Sequence, residues 1–193
     1  LKEKGRTTPR RFDAVTILFT DFKGFTTTSS TLPPENLVSE LNDMFREFDS
    51  IINKHGLEKI KTIGDAYMIA GGLPRESRDH AYKCIQAALE MQEFLKGRNS
   101  RSIIKWDMRA GIHSGSVVAG VVGKIKFTYD VWGDTVNIAS RMESACDPGR
   151  VNISAFTYYL VKDRVDCEYR GKVHTKGKGE IDMYIVEKES AAQ

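Results

Sequence analysis

The chain has 193 residues, 40% of them hydrophobic and 28% charged, with 29 basic against 26 acidic side chains. That length supports one domain with a sizeable core, and the ordinary composition excludes a disordered chain, a collagen-like repeat and a disulfide scaffold. A net charge of +3 gives no electrostatic case for a nucleic-acid partner.

Three cysteines, Cys84, Cys146 and Cys167, are an odd number at no metal-ligand spacing, which fits a reducing, cytoplasmic setting. No apolar run reaches the roughly 18 residues of a membrane span. A chain opening at Leu1 with no signal-peptide core reads as an excised domain, so a regulatory or membrane domain outside it stays open. The sequon at Asn152 is read as a chance occurrence.

In chain order, residues 1–12 are basic, polar and non-periodic, and read as a leader or linker. Ala14 to Thr20 (AVTILFT) is a β-branched apolar run, the pattern of a buried strand, and it ends in Asp21-Phe22-Lys23-Gly24. After a threonine and serine stretch, Pro33-Pro34 starts a helix. Its apolar positions Leu37, Leu41, Met44, Phe45, Phe48, Ile51 and Ile52 recur at three- and four-residue spacing until His55-Gly56 stops it. LEKIKTIGDAYMIAGG reads as a hairpin turning at Gly64-Asp65.

Asp79 to Lys96 is a second helix, and IIKWDMRAGIHSGSVVAGVVG two strands broken at Ser114-Gly115. Asp134 to Ala145 is a third helix, followed by a turn at Pro148-Gly149. A strand at Val151 to Ile153, a short helix, and strands near Val165 to Val173 and Ile181 to Val186 complete the chain. The order is βαββαβ with a βαββ-like C-terminal extension, which predicts an α+β sandwich of ferredoxin-like kind with a mostly antiparallel sheet.

Two aspartates stand out. Asp21 lies where an apolar strand leaves the core, and Asp65 lies in a tight hairpin turn beside Gly64. Carboxylates at the ends of neighbouring strands can share one or two Mg²⁺ ions. The plainer reading is that Asp65 only makes the turn. Asn137 and Arg141, four apart on the third helix, share one face, which alone would be a polar surface stripe.

FTDFKGFT (Phe19 to Thr26), EKIKTIGDAYM (Glu58 to Met68), MRAGIHSG (Met108 to Gly115) and YDVWGDTVNIASRM (Tyr129 to Met142) resemble the class III nucleotidyl cyclase catalytic domain, of adenylate cyclase type. A KGKG run (Lys176 to Gly179) fits as well, and the resemblance covers Val15 to Val186. It divides the chain into a leader at 1–12, a catalytic domain at 13–188 and a tail at 189–193.

The resemblance implies that Asp21 and Asp65 hold two divalent cations, Mg²⁺ or Mn²⁺, on a triphosphate. Phe22 stands where the family has an isoleucine whose carbonyl touches metal. Lys61 and Asp130 match the pair that recognises adenine, where guanylate cyclases carry glutamate and a small residue. The chemistry of that match is sound, because adenine N1 accepts and its exocyclic amine donates. Taken singly, Lys61 reads as a solvated strand lysine and Asp130 as a turn acid.

By the same resemblance Asn137 orients the ribose, Arg141 stabilises charge at the α-phosphate, and Arg109 contacts the terminal phosphates. Lys176 matches the phosphate-binding lysine, its register open against Lys178. His113 reads as a structural strand histidine. No Walker A sequence is present.

The implied reaction converts ATP to 3′,5′-cyclic AMP and pyrophosphate. In this family the metal aspartates come from one subunit and the adenine pair, Asn137 and Arg141 from the other, which implies a homodimer with two equivalent sites. Rival readings are a guanylate or dual-specificity cyclase, an inactive nucleotide-binding cyclase homology module, and another palm-type nucleotidyltransferase such as a dinucleotide cyclase.

Overall fold

The computed structural model describes residues 8–123, 127–175 and 178–189. Strand β1 (Arg10–Phe22) leads through α1 (Phe25–Thr31) into α2 (Pro34–His55), the hairpin β2 (Glu58–Ile63) and β3 (Ala66–Gly71), and α3 (His80–Asn99). Then come β4 (Met108–Val122), β5 (Thr128–Trp132) and α4 (Asp134–Ser144). The chain finishes with β6 (Val151–Ser154), α5 (Ala155–Val161), β7 (Val165–Thr175) and β8 (Gly179–Glu189). The strands form one sheet ordered β2-β3-β1-β4-β6-β8-β7, with β5 on β4 outside this path. Only β4 and β6 pair in parallel, so the expected α+β architecture stands.

The sheet is covered on both faces, and strand alternation decides which side chain goes where. Leu18 and Phe22 of β1, Tyr67 and Ile69 of β3, and Ala110 and Ile112 of β4 pack with Met44, Phe48, Ile85 and Met91 of α2 and α3. The alternate residues Val15, Ile17 and Phe19, with Met68, Ala70 and Val117, face the opposite side and meet Ala139 of α4. A strand buried on both faces needs a continuous apolar run, which is what AVTILFT supplies. At Gly56 the α2 helix ends in the left-handed region at φ 65°, as its His-Gly stop predicts.

Several elements differ from the sequence reading. Strand β1 begins at Arg10, inside the segment read as leader, and Phe12 is buried. The threonine and serine stretch forms the short helix α1, with no buried residue. Strand β5 has no counterpart among the expected elements.

The two strands expected on either side of Ser114-Gly115 are one, β4, paired with β1 from Met108 to Ala119. Polar and small residues there read as a turn but serve the crossing of buried layers. The Ser114 hydroxyl bonds Thr16 at 2.7 Å and Thr157 at 3.0 Å, and a Cβ at Gly115 would lie 2.6 Å from Thr135 Oγ1. The irregularity falls instead in β1, between Phe12 and Val15.

Gly111 sets the height of α4 above the sheet. A Cβ there would lie 1.8 Å from the backbone nitrogen of Glu143, so any side chain would force the helix away. Asn152, of the chance sequon, is fully buried and donates to the Met142 carbonyl at 2.8 Å.

Candidate active site

Asp21 continues the odd-numbered row of β1 that faces α4, and Arg109 stands directly across from it on β4. Arg109 donates to Asp21 Oδ2 at 2.6 Å and lies 3.0 Å from Glu143 Oε1 of α4. That second contact is an ion pair without an aligned hydrogen bond, and the buried Arg109 Nε has no hydrogen-bond partner among the described residues. Burial works against the Arg109 charge, but the two carboxylates outweigh it and raise its pKa.

Asp65 arrives from the β2–β3 turn, and its Oδ2 accepts from the Phe22 backbone N–H at 3.4 Å. Burial first, and then the adjoining Asp21 carboxylate, push Asp65 up to about 6. Asp21 and Asp65 therefore converge, as expected, and compete for charge.

This donor set suits Mg²⁺ or Mn²⁺. Two hard oxygen donors close together disfavour sharing the site without a cation. Among the described residues no group of three or more His, Cys, Asp and Glu side chains is placed to enclose an ion. An ion here would complete its shell with phosphate oxygens or water, as Mg²⁺ commonly does. Phe22 is buried, and its side chain points away into the core, leaving only its backbone on this side.

Lys61 and Asp130 meet on the same face. A bulge in β2 between Lys59 and Lys61 sets two residues against one, so Lys61 stands opposite Met68, a residue of the α4-facing row. Lys61 Nζ donates to Asp130 Oδ2 at 2.6 Å, while Asp130 Oδ1 accepts from the Val131 N–H at 2.8 Å. An ammonium donor and a carboxylate acceptor are thus held side by side.

Helix α4 carries the remaining groups on opposite faces. Thr135, Ile138, Ala139, Met142 and Glu143 are buried against the sheet. Asn137 and Arg141 are exposed and line a cleft of about 550 Å³ with Asp134, Ser140, Thr175 and Lys178. Arg141 and Glu143 are two residues apart, roughly 200° around the helix. Arg141 therefore faces away from Glu143 and the Arg109–Asp21 pair it joins. Lys178 lies 3.5 Å from Asp134, and Lys176 lies outside the described residues.

The sequence reading missed Glu143. Its signal was positional: it falls four residues after Ala139 on the apolar stripe, where a charge requires a partner.

His113 is buried, bonded through Nδ1 to the Ser154 hydroxyl at 2.7 Å and edge-on to the Phe156 ring, as a structural histidine should be. Burial, and secondarily the Lys178 charge, lower its pKa from 6.5 to about 4. A base whose folded pKa is depressed gives its full stability above pH 6.5 and loses it as the pH falls toward 4. At pH 5 the loss is about 2 kcal/mol. Urea midpoints at pH 8 and pH 5 should therefore fall further apart in the wild type than in His113→Gln. Equal spacing in the two proteins would refute this assignment.

Fold and motifs together are those of the adenylate and guanylate cyclase catalytic domain, whose family pattern the chain matches over residues 7–188; the chain belongs to that family. It is 42% identical over 98% of its length to the receptor-type guanylate cyclase gcy-23 of Caenorhabditis elegans, and 39% identical over 94% to an adenylate cyclase of Mycobacterium tuberculosis. The chain spans 18% and 41% of those two relatives.

Among solved structures, it resembles the guanylate cyclase domain of RhGC from Catenaria anguillulae in complex with GTP, at TM-score 0.90 and 34% identity, covering 94% of this chain and all of that one. A rhodopsin-guanylyl cyclase core with converted specificity, in complex with ATPαS, matches at TM-score 0.90 and 36% identity, covering 94% and 99%. No helix among the described residues is long and apolar enough to cross a membrane.

Proposed function

We propose that this chain is an adenylate cyclase that forms 3′,5′-cyclic AMP and pyrophosphate from ATP at sites shared across a homodimer. The observation that carries the choice of base is the 2.6 Å Lys61–Asp130 pair. Its ammonium can donate to adenine N1 and its carboxylate can accept from the exocyclic amine. Guanine presents the reverse, a donor at N1 and an acceptor at O6. The similarity to a cyclase core of converted specificity that holds ATPαS is in keeping with this reading.

Asp21 and Asp65 of one protomer would hold two divalent cations, with Arg109 beside them for the terminal phosphates. When bound, these ions would lower the pKa of the ribose 3′-hydroxyl and neutralise phosphate charge. Asn137 of the partner subunit orients the ribose so that the hydroxyl lies in line with the α-phosphorus. Arg141 of the partner subunit meets the charge that grows on the α-phosphate as pyrophosphate leaves. Lys178, in the Arg141 cleft, takes the phosphate-binding role in this arrangement.

The shared site is supported by the geometry of α4, which turns Arg141 away from Glu143 and the Asp21 side of its own chain. The test is product analysis with ATP and GTP, under Mg²⁺ and Mn²⁺, over a range of protein concentrations. The expected result is cyclic AMP as the main product, with specific activity rising with concentration. Cyclic GMP as the main product would overturn the base assignment. Zero turnover in a confirmed dimer would leave a nucleotide-binding module.

A further inference from the structure

Asp21 and Phe22 close β1 against β4, and the segment that follows them has little of its own to hold it. Helix α1, which follows it, buries no residue and has no side-chain cap. What fixes this segment is Trp106, a residue of the irregular stretch between α3 and β4. Its ring lies 5.6 Å from Phe22 and 5.8 Å from Phe25, centroid to centroid. The Lys23 N–H donates to the next carbonyl, that of Asp107, at 2.8 Å. The segment Phe22–Lys23–Phe25 is thus seated on Trp106 and Asp107 along one side, while Asp21 faces the other.

Trp106 is in turn over-determined. It is 1% exposed although no helix or strand contains it. Its Nε1 donates to Glu40 Oε2 at 2.9 Å, and Glu40 also accepts from Arg98. Asn99 grips its backbone twice, accepting from the N–H at 3.0 Å and donating to the carbonyl at 2.9 Å. Arg98 donates to the Ile104 carbonyl at 3.0 Å, which ties down the same stretch. A core tryptophan needs one partner for its indole N–H. Here polar groups of α2 and α3 converge to fix the position of one ring.

We infer that Trp106, locked by Glu40, Arg98 and Asn99, is a positioning residue that sets the Asp21–Phe22 segment for divalent-ion binding. This inference rests on the cyclase reading of Asp21 and Asp65. The Glu40–Trp106 link extends to the carboxylate through ring packing, so it tunes where the ion sits without touching it. Outer partners of metal ligands typically change ion affinity by roughly 10- to 100-fold.

The test measures Mn²⁺ binding by the loss of the free-ion EPR signal with no nucleotide present, so that chelation by free triphosphate does not contribute. Trp106→Leu should weaken Mn²⁺ about tenfold. Trp106→Phe, which keeps a ring under Phe22 and Phe25, should recover most of that loss. Glu40→Gln, which leaves the ring in place but weakens its anchor, should fall between. Ile85→Ala, fully buried in the same core on α3, serves as a destabilised control and should retain wild-type affinity. Wild-type Mn²⁺ affinity in Glu40→Gln, and in Trp106→Leu if it folds, would overturn the inference and leave the cyclase reading intact. Absence of Mn²⁺ binding in the wild type would overturn both.

Discussion

Asp21→Ala and Arg141→Ala chains are each expected to be inactive alone and to regain activity when mixed. In the proposed mechanism, loss of Arg141 removes a donor aimed at charge that develops during the reaction, which costs roughly 10²–10³ in turnover. Loss of Asp21 removes one of two carboxylates that converge near Arg109, and should cost at least as much. In a two-fold symmetric dimer the variants combine so that one site holds both defects and the other holds none. Random pairing makes half the dimers mixed, so an equimolar sample should recover about a quarter of wild-type activity. Assays before and after co-refolding or subunit exchange would read this directly. No recovery, in the presence of mixed dimers seen by native mass spectrometry, would show that one chain builds the whole site.

The second large effect is on the base. Replacing Lys61 by glutamate and Asp130 by cysteine together should turn the preference from ATP to GTP. The wild-type pair makes two hydrogen bonds from charged groups, each worth about 1.5–3 kcal/mol when one side would otherwise be left unpaired. Losing both should lower kcat/KM for ATP by roughly 10²–10⁴. The introduced glutamate can accept from guanine N1–H, so GTP turnover should rise as ATP turnover falls. Lys61→Glu alone should be poor with both nucleotides, because it sets a second carboxylate against Asp130 at the position where Nζ now lies 2.6 Å away. An unchanged ATP-to-GTP ratio in the double variant would remove the pair from base selection.

These residues show what the sequence made legible. The motifs around Asp21, Asp65, Lys61, Asp130, Asn137 and Arg141 are contiguous, so the family resemblance could be carried over to each of them by position. The buried strands and long helices were legible for a similar reason, since alternation and three- to four-residue spacing are local patterns. What escaped depends on layers brought together by the fold. Ser114 and Gly115 read as a break because their partners Thr16, Thr135 and Thr157 lie far away in sequence. The resemblance gave Arg109 only an expected phosphate contact, and its seat between Asp21 and Glu143 follows from the β1–β4 register and the height of α4. Trp106 carries no periodic signal, because an irregular stretch has none. Its importance lies in side chains of α2 and α3 that reach it from outside.

Helix α4 has two working faces. Toward its own chain, Glu143 meets Arg109, the neighbour of Asp21. Toward solvent, Asn137 and Arg141 line the cleft they share with Asp134 and Lys178. In a dimer of the proposed kind, one helix of three turns is therefore a wall of both catalytic chambers at once. A shift of α4 driven from the Arg109 side would carry the Arg141 side with it, because its three turns are held as one unit by their own backbone hydrogen bonds. Filling one chamber would then be felt in the other, and the pair would behave as one machine with linked strokes, with a coupling free energy readable as nucleotide cooperativity.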